Sequence, residues 1–411
     1  MLYSQGSAPS VDAVRRVWVD VVFSAGSGLE KYERMRILVD YTSAIAQGAG
    51  IGRYTRSLMN ALLRVDHGDR FTLFSAERPT AERTFPSAPN ARAVIGHLDN
   101  RRMTILWHRL RAPLPIEALA GRADVLHAPD FSLPPTIGAR KVVTIHDLAF
   151  MTHPECAVPA LRGYLNRVVP HAVSRADHII AVSQRTADDL VELLGVAPKK
   201  ISVIHLGVDP AVRRVGDAAT LSAAEARYDL QRPFALAVGT IEPRKNYARL
   251  IEAFARARGR QGGPTQLVMM GRKGWLYDDV FDAVERLGLR DAVRFLDYIP
   301  DGDLATLYSL ASVVAMPSLY EGFGIPVVEA MACGTPVIAS SGGSLPEIVG
   351  DAGVLVAADD TEGLAEALVR TVSDDALRTD LVARGYERVR AFDWDVAARR
   401  HVEVYHAVAK G

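Results

Sequence analysis

The stretch SLYEGFGIPVVEAMACGTPVIAS, residues 318–340, decides how the rest of the chain is read. The run before it, Val313 to Met316, is short, apolar and rich in valine, and it reads as a buried strand. A loop carrying Glu321, Gly322, Phe323 and Gly324 follows. Pro326 suits the first turn of a helix, where the N–H it lacks has no partner anyway. That helix runs to about Cys333, with Gly334 where a C-terminal cap belongs. A glycine loop feeding a helix start presents N–H groups and a partial positive charge, which suits a diphosphate. Two carboxylates frame the element, Glu321 in the loop and Glu329 further on. Their spacing along a helix is about 12 Å. A retaining glycosidase needs its carboxyls ~5–5.5 Å apart. The pair therefore reads as two separate clamps for ring or ribose hydroxyls. Either glutamate alone is an ordinary surface residue near a helix start.

On both sides the chain keeps one rhythm. MRILVDY, RFTLFS, KVVTIHD, HIIAVS and ISVIHLG are strand candidates before residue 210. FALAVGT, TQLVMMG, AVRFLDY, TPVIASS and GVLVAA follow residue 232. Amphipathic helices such as GRYTRSLMNALLRV and NYARLIEAFARARG lie between them. Apolar strands separated by helices form parallel βαβ units, an α/β chain. The rhythm pauses near 210–232, so two Rossmann-like domains are expected, at 35–210 and 232–392. Their ligands belong at the carboxyl ends of the strands, in the cleft between them. DWDVAARRHVEVYHAVAKG, residues 393–411, reads as one amphipathic helix. Residues 1–34 read as a leader, either a disordered tail or an over-long start. Asp20 breaks their apolar run and Arg15–Arg16 come late, against a cleaved signal peptide.

Composition narrows the classes. Lys+Arg and Asp+Glu are both 48 in 411 residues, which argues against a general nucleic-acid binder. Hydrophobic residues at 49% and charged residues at 23% exclude disorder. Two distant cysteines exclude a disulfide scaffold and a metal finger and fit a reducing cytoplasm. No apolar run reaches the ~18 residues of a spanning helix.

The E-x7-E stretch resembles the signature of retaining glycosyltransferases of family 4, which have the GT-B fold. AVGTIEPRKN (237–246), VIHLGVD (203–209), VMMGRKG, VRFLDYIP and SLPEIVG resemble further landmarks of that family, in order. The resemblance covers residues 35–411. It implies two Rossmann-like domains with a C-terminal helix crossing back to the first, the acceptor on the first and a nucleotide sugar on the second. Gly239, Arg244 and Lys245 would meet the donor phosphates. The family often has an arginine directly after the glycine; Thr240 stands there, and Arg244 is the candidate to replace it. Glu321, Gly322, Phe323 and Gly324 would position the donor sugar and Glu329 the ribose. Backbone near Tyr298 and Ile299 would meet the base.

The first domain offers three strand ends. GAGIGRY, residues 48–54, has Arg53 where a dinucleotide fingerprint needs its last glycine, and no acidic strand end follows. Resemblance instead puts Gly50 and Gly52 opposite the donor. In KVVTIHDLAF, His146 would meet the donor sugar and Asp147 the acceptor; in VLHAPDF, His127 and Asp130 would bind acceptor hydroxyls. Asp301–Gly302–Asp303 reads as helix capping, with no metal site and no required cofactor. Residues 101–119 read as a helix, either an ordinary one on the domain surface or a basic amphipathic one able to lie on an anionic membrane surface.

The implied reaction is retaining transfer of a hexose to a hydroxyl of a glycan or polyprenol-linked glycan, in the cytoplasm or at the inner face of the cytoplasmic membrane. No residue stands out as a nucleophile. The motifs look closest to bacterial mannosyltransferases, so GDP-mannose is the preferred donor and a UDP-sugar the other. Alternatives are a UDP-sugar 2-epimerase on the same fold and a non-catalytic nucleotide-sugar binder.

Overall fold

A computed structural model describes residues 34–411, except 49, 298 and the side chain of 301. The leader up to residue 33 and Tyr298 lie outside the described residues. Two all-parallel sheets account for the rhythm. The first has seven strands: β1 (Arg36–Asp40), β2 (Arg70–Ser75), β3 (Ala91–Ile95), β4 (Val125–Ala128), β5 (Arg140–Ile145), β6 (His178–Ala181) and β7 (Ile201–Val203). The second has six: β8 (Phe234–Val238), β9 (Gln266–Met270), β10 (Val293–Leu296), β11 (Val313–Met316), β12 (Val337–Ser340) and β13 (Val354–Val356).

Strand order is β3-β2-β1-β4-β5-β6-β7 in one sheet and β10-β9-β8-β11-β12-β13 in the other. In each sheet the order reverses beside the first strand, between β1 and β4 and between β8 and β11. Such switch points leave a crevice at the strands' carboxyl ends, because consecutive loops diverge to opposite sides. The central strands β4, β9, β11 and β12 are buried at every position, as a sheet covered by helices on both faces requires.

Two expectations change here. The pause at 210–232 holds a helix, Ala218–Tyr228, which Asp217 caps by accepting the N–H of Thr220 at 2.8 Å. This helix packs on Asp301–Leu310 of the second domain. The single helix expected over 101–119 is several pieces. Asn100–Thr104 runs into a π-turn, Ile105–Arg109, and only Glu117–Ala120 is helical again. Pro113 and Pro115 lie between and cannot donate a helical hydrogen bond. Met103 and Trp107 face inward at 2% and 6% exposure, whereas Leu110 at the end of the π-turn is 70% exposed.

The helix Trp394–Lys410 leaves the second domain and packs along Ile51–Val65 of the first. Gly207 admits it: a β-carbon there would stand 2.3 Å from the Trp394 nitrogen.

Candidate functional site

The loops at the two switch points meet across the cleft. From the second domain, the turn after β8 carries Glu242, Arg244 and Lys245, and the loop after β11 carries Glu321. All four are at most partly exposed, and Glu242, Lys245 and Glu321 are buried. Lys245 Nζ donates to Glu321 Oε1 at 2.6 Å, and Arg244 Nη1 stands 3.0 Å from Glu321 Oε2. Arg244 Nη2 donates to Glu242 Oε1 at 2.5 Å, and its Nη1 to the Tyr320 carbonyl at 2.9 Å. Burial pushes the Glu321 carboxyl up, but the Arg244 and Lys245 cations outweigh it and hold it down at about 2. Burial raises Glu242 against the same cations. For Arg244, Glu321 and Glu242 overcome burial and hold the guanidinium charged. The result is two cations and two carboxylates in one compact cluster.

The helix Ile325–Ala332 starts beside this cluster, with Pro326 in its first turn. Gly324 turns the chain into it at φ 99°, a conformation L side chains resist. Gly322 lies against the other domain. A β-carbon there would sit 1.9 Å from the His146 carbonyl oxygen, so only glycine lets the two loops touch. Gly239 passes Lys245 closely; a β-carbon would be 3.1 Å from its Cε.

Glu329 lies within the helix, 2% exposed. Its Oε1 meets Arg53 Nη1 of the first domain at 2.6 Å, and its Oε2 accepts from Tyr308 at 2.9 Å. Burial raises its carboxyl against the pull of Arg53. Glu321 and Glu329 thus engage different partners, the first on its own domain and the second partly across the cleft.

The first domain answers with carboxylates. Asp40 ends β1, Asp130 follows β4 and Asp147 follows β5. All three line a cavity of about 530 Å³ that also reaches Glu242 and Arg244. Phe131, Trp107 and Trp275 supply aromatic surface to it. Burial and the neighbouring Asp40 push the Asp130 carboxyl up to about 6, against a hydrogen bond from Gln47 at 3.2 Å. His146 is half-buried between Tyr54 and Phe131, with Nε2 2.8 Å from the Pro129 carbonyl.

Some expected residues stand elsewhere. His127 is fully buried. Its Nε2 meets Thr144 at 2.9 Å and its Nδ1 meets Tyr405 at 2.7 Å, which leaves no ring nitrogen for an acceptor. Phe323 turns its ring onto Phe392, so only its backbone faces the loop. Gly52 sits under its own chain: a β-carbon would stand 2.2 Å from the Gln47 carbonyl oxygen, so packing alone already requires glycine there. Gly50, at φ 56°, has open space around it. Asp303 does not cap its helix; it accepts from Arg227 at 2.8 Å and Tyr228 at 2.5 Å. Ile299 packs against the core edge. Four participants escaped the sequence reading. Glu242 sits inside the quoted turn and Arg53 inside the quoted glycine loop, so both were visible as residues though not as partners. Asp40 ends a strand already assigned, which was its signal. Tyr308 lies in an apolar helix and carries none.

Comparison with known proteins agrees with this geometry. The pattern described as Glycosyltransferase Family 4 matches residues 48–212, and that described as Glycosyl transferases group 1 matches 222–388. O-antigen chain mannosyltransferase B of Escherichia coli is 31% identical over 369 residues, 87% of this chain and 95% of that protein. The chain belongs to glycosyltransferase family 4. D-inositol 3-phosphate glycosyltransferase of Kribbella flavida is 34% identical over 58% of this chain and 58% of its own. Among solved structures, sucrose-phosphate synthase of Thermosynechococcus elongatus superposes with a TM-score of 0.71 at 24% identity, covering 91% of this chain and 99% of its own. Anabaena HepE in complex with UDP and glucose gives 0.66 at 20%, covering 91% and 100%. The two matched domains and the GT-B fold are therefore those of a glycosyltransferase.

Proposed function

We propose that this glycosyltransferase moves mannose from GDP-mannose to a hydroxyl of a glycan or lipid-linked glycan, with retention at the anomeric carbon. The observation that carries the reading is the buried Arg244–Lys245–Glu321 cluster beside the helix start at Gly324. Two cations and a helix start are fixed before the reaction, where a departing diphosphate gathers charge, and fixed dipoles stabilise such charge strongly. Glu329 would take the ribose hydroxyls in exchange for Arg53. Gly239 and the backbone of Gly322, Phe323 and Gly324 would frame the phosphates and sugar, with Ile299 near the base. His146 would lie over the donor sugar. Asp130 and Asp147, with Asp40, would take acceptor hydroxyls. A donor phosphate oxygen would accept the acceptor proton, so attack comes from the leaving-group face and configuration is kept. Closed loops exclude water and limit hydrolysis.

Mannose is favoured by the named activity of the Escherichia coli relative. UDP-sugar is the competing donor, since HepE holds UDP. The acceptor-sized cavity favours transfer over 2-epimerisation, which needs no second substrate. The test is a thermal-shift series with GDP, UDP and ADP and their sugars, followed by anomeric analysis of product. GDP-mannose is expected to give the largest shift. A flat response to every nucleotide overturns the reading.

A further inference from the structure

The acceptor cavity does not end at its carboxylates. His108, Tyr164 and Val168 line it and also line a second pocket of about 550 Å³. That neighbour is cationic: Arg109, Arg111, Arg167 and His171 complete it. Other arginines of the first domain are paired, such as Arg102 with Asp99, Arg140 with Asp177 and Arg185 with Asp189. Among the described residues, no ion pair engages Arg109, Arg111 or Arg167. The backbone is also unusual there. The π-turn Ile105–Arg109 delivers His108 and Arg109, and Arg111 stands at φ 51°. Both are features that gather at functional sites because surrounding structure must hold them. Burial, with His171 and Arg175 nearby, brings His108 down to about 4, so at neutral pH it is a neutral hydrogen-bonding group.

We propose that this pocket binds the phosphate of the acceptor while the acceptor's sugar occupies the carboxylate-lined cavity beside it. The inference rests on the transferase reading and names its acceptor class: a glycosyl phosphate or diphosphate. Charge sorts the two ends. Asp40, Asp130 and Asp147 accept hydroxyls and repel a phosphate, whereas guanidinium forks match phosphate oxygens and need no hydroxyl. Tyr164 stands between, lining both spaces and feeling the charge of Asp130. A flat anionic membrane is the lesser fit, since Met103 and Trp107 are buried and the arginines line a concavity.

The test uses two synthetic acceptors that differ in one group, mannosyl undecyl diphosphate and undecyl mannoside. Turnover and calorimetric binding are read for wild type and for the Arg109→Ala/Arg167→Ala double variant. Wild type is expected to favour the diphosphate at least ~10-fold in KM or Kd. The double variant is expected to lose that preference to within about threefold while donor KM holds. Equal use of the two acceptors by wild type, or an undiminished preference in the variant, overturns the proposal. So does a variant that loses affinity only for phosphatidylglycerol vesicles, which assigns the cations to a membrane. Absence of any donor consumption, by contrast, is a failure of the transferase reading, and acceptor binding still decides the phosphate pocket.

Discussion

The two strand-end clusters facing the cleft are built on opposite electrostatic plans. On the second domain, Arg244 and Lys245 are already satisfied by Glu321 and Glu242. On the first, Asp40, Asp130 and Asp147 share a cavity and, among the described residues, form no ion pair. A cluster neutralised from within can be buried cheaply, because each charge is desolvated against a partner. It can admit a dianion only by loosening Glu321 from its cations. A cluster of unpaired carboxylates stays at the rim of water and suits neutral hydroxyls. The same fold thus presents one face for exchanging charge and another for exchanging water.

The largest expected effect tests the paired face. Arg244→Ala and Lys245→Ala are each expected to lower kcat/KM about 10²–10³-fold, the usual cost of one fixed donor at a developing charge. Steady-state kinetics at saturating acceptor reads it, and wild-type rates would remove both residues from the site. Next comes the acid limb of stability. Glu321 falls from an ordinary 4.5 to about 2 on folding, so its contribution is full above about pH 4.5 and is lost as pH drops through 2. The term is roughly 3 kcal/mol at most. Denaturant titrations from pH 5 to pH 2 should show this slope in wild type and lose it in Glu321→Gln. A slope that survives the substitution breaks the idea of a neutralised cluster. Glu329→Gln should raise donor KM about tenfold with a smaller change in kcat, as loss of a hydroxyl clamp does. An unchanged donor KM separates Glu329 from the ribose.

The smallest effect concerns the unpaired face. Asp130 rises from 3.8 to about 6 on folding, which reverses the sign. Its stabilising contribution is full below about pH 4 and disappears as pH rises through 6. Asp130→Asn should therefore be relatively more stable above pH 6, by a few degrees in Tm. An identical pH profile for the two proteins would show that Asp130 has found a partner, and the contrast would collapse.

The sequence made the scaffold legible because parallel strands covered on both faces are nearly continuous apolar runs. Phe234–Val238 and Val337–Ser340 are examples. β3 was the strand left out: it lies at the sheet edge, mostly solvated, and Arg92 interrupts it. Arg244, Lys245, Glu321 and Glu329 were legible through motif. Their partners were not, since the Arg53–Glu329 contact spans the two domains and leaves no local trace. His127 misled for a related reason. A histidine at a strand end looks available until Tyr405, 278 residues away, takes its second nitrogen.

That last contact bears on the order in which the protein is made. Tyr54 meets His401 at 3.2 Å, and His127 meets Tyr405, so two polar groups inside the first domain, each also bonded to Thr144, gain a second partner from the helix Trp394–Lys410. Domains tend to fold as they leave the ribosome, the earlier before the later. Here the earlier domain holds those two side chains on Thr144 alone until residues 401 and 405 have been synthesised. Its buried polar network is therefore complete only once the chain beyond the second domain has been made, and a nascent chain stalled between the two carries a first domain without its last helix.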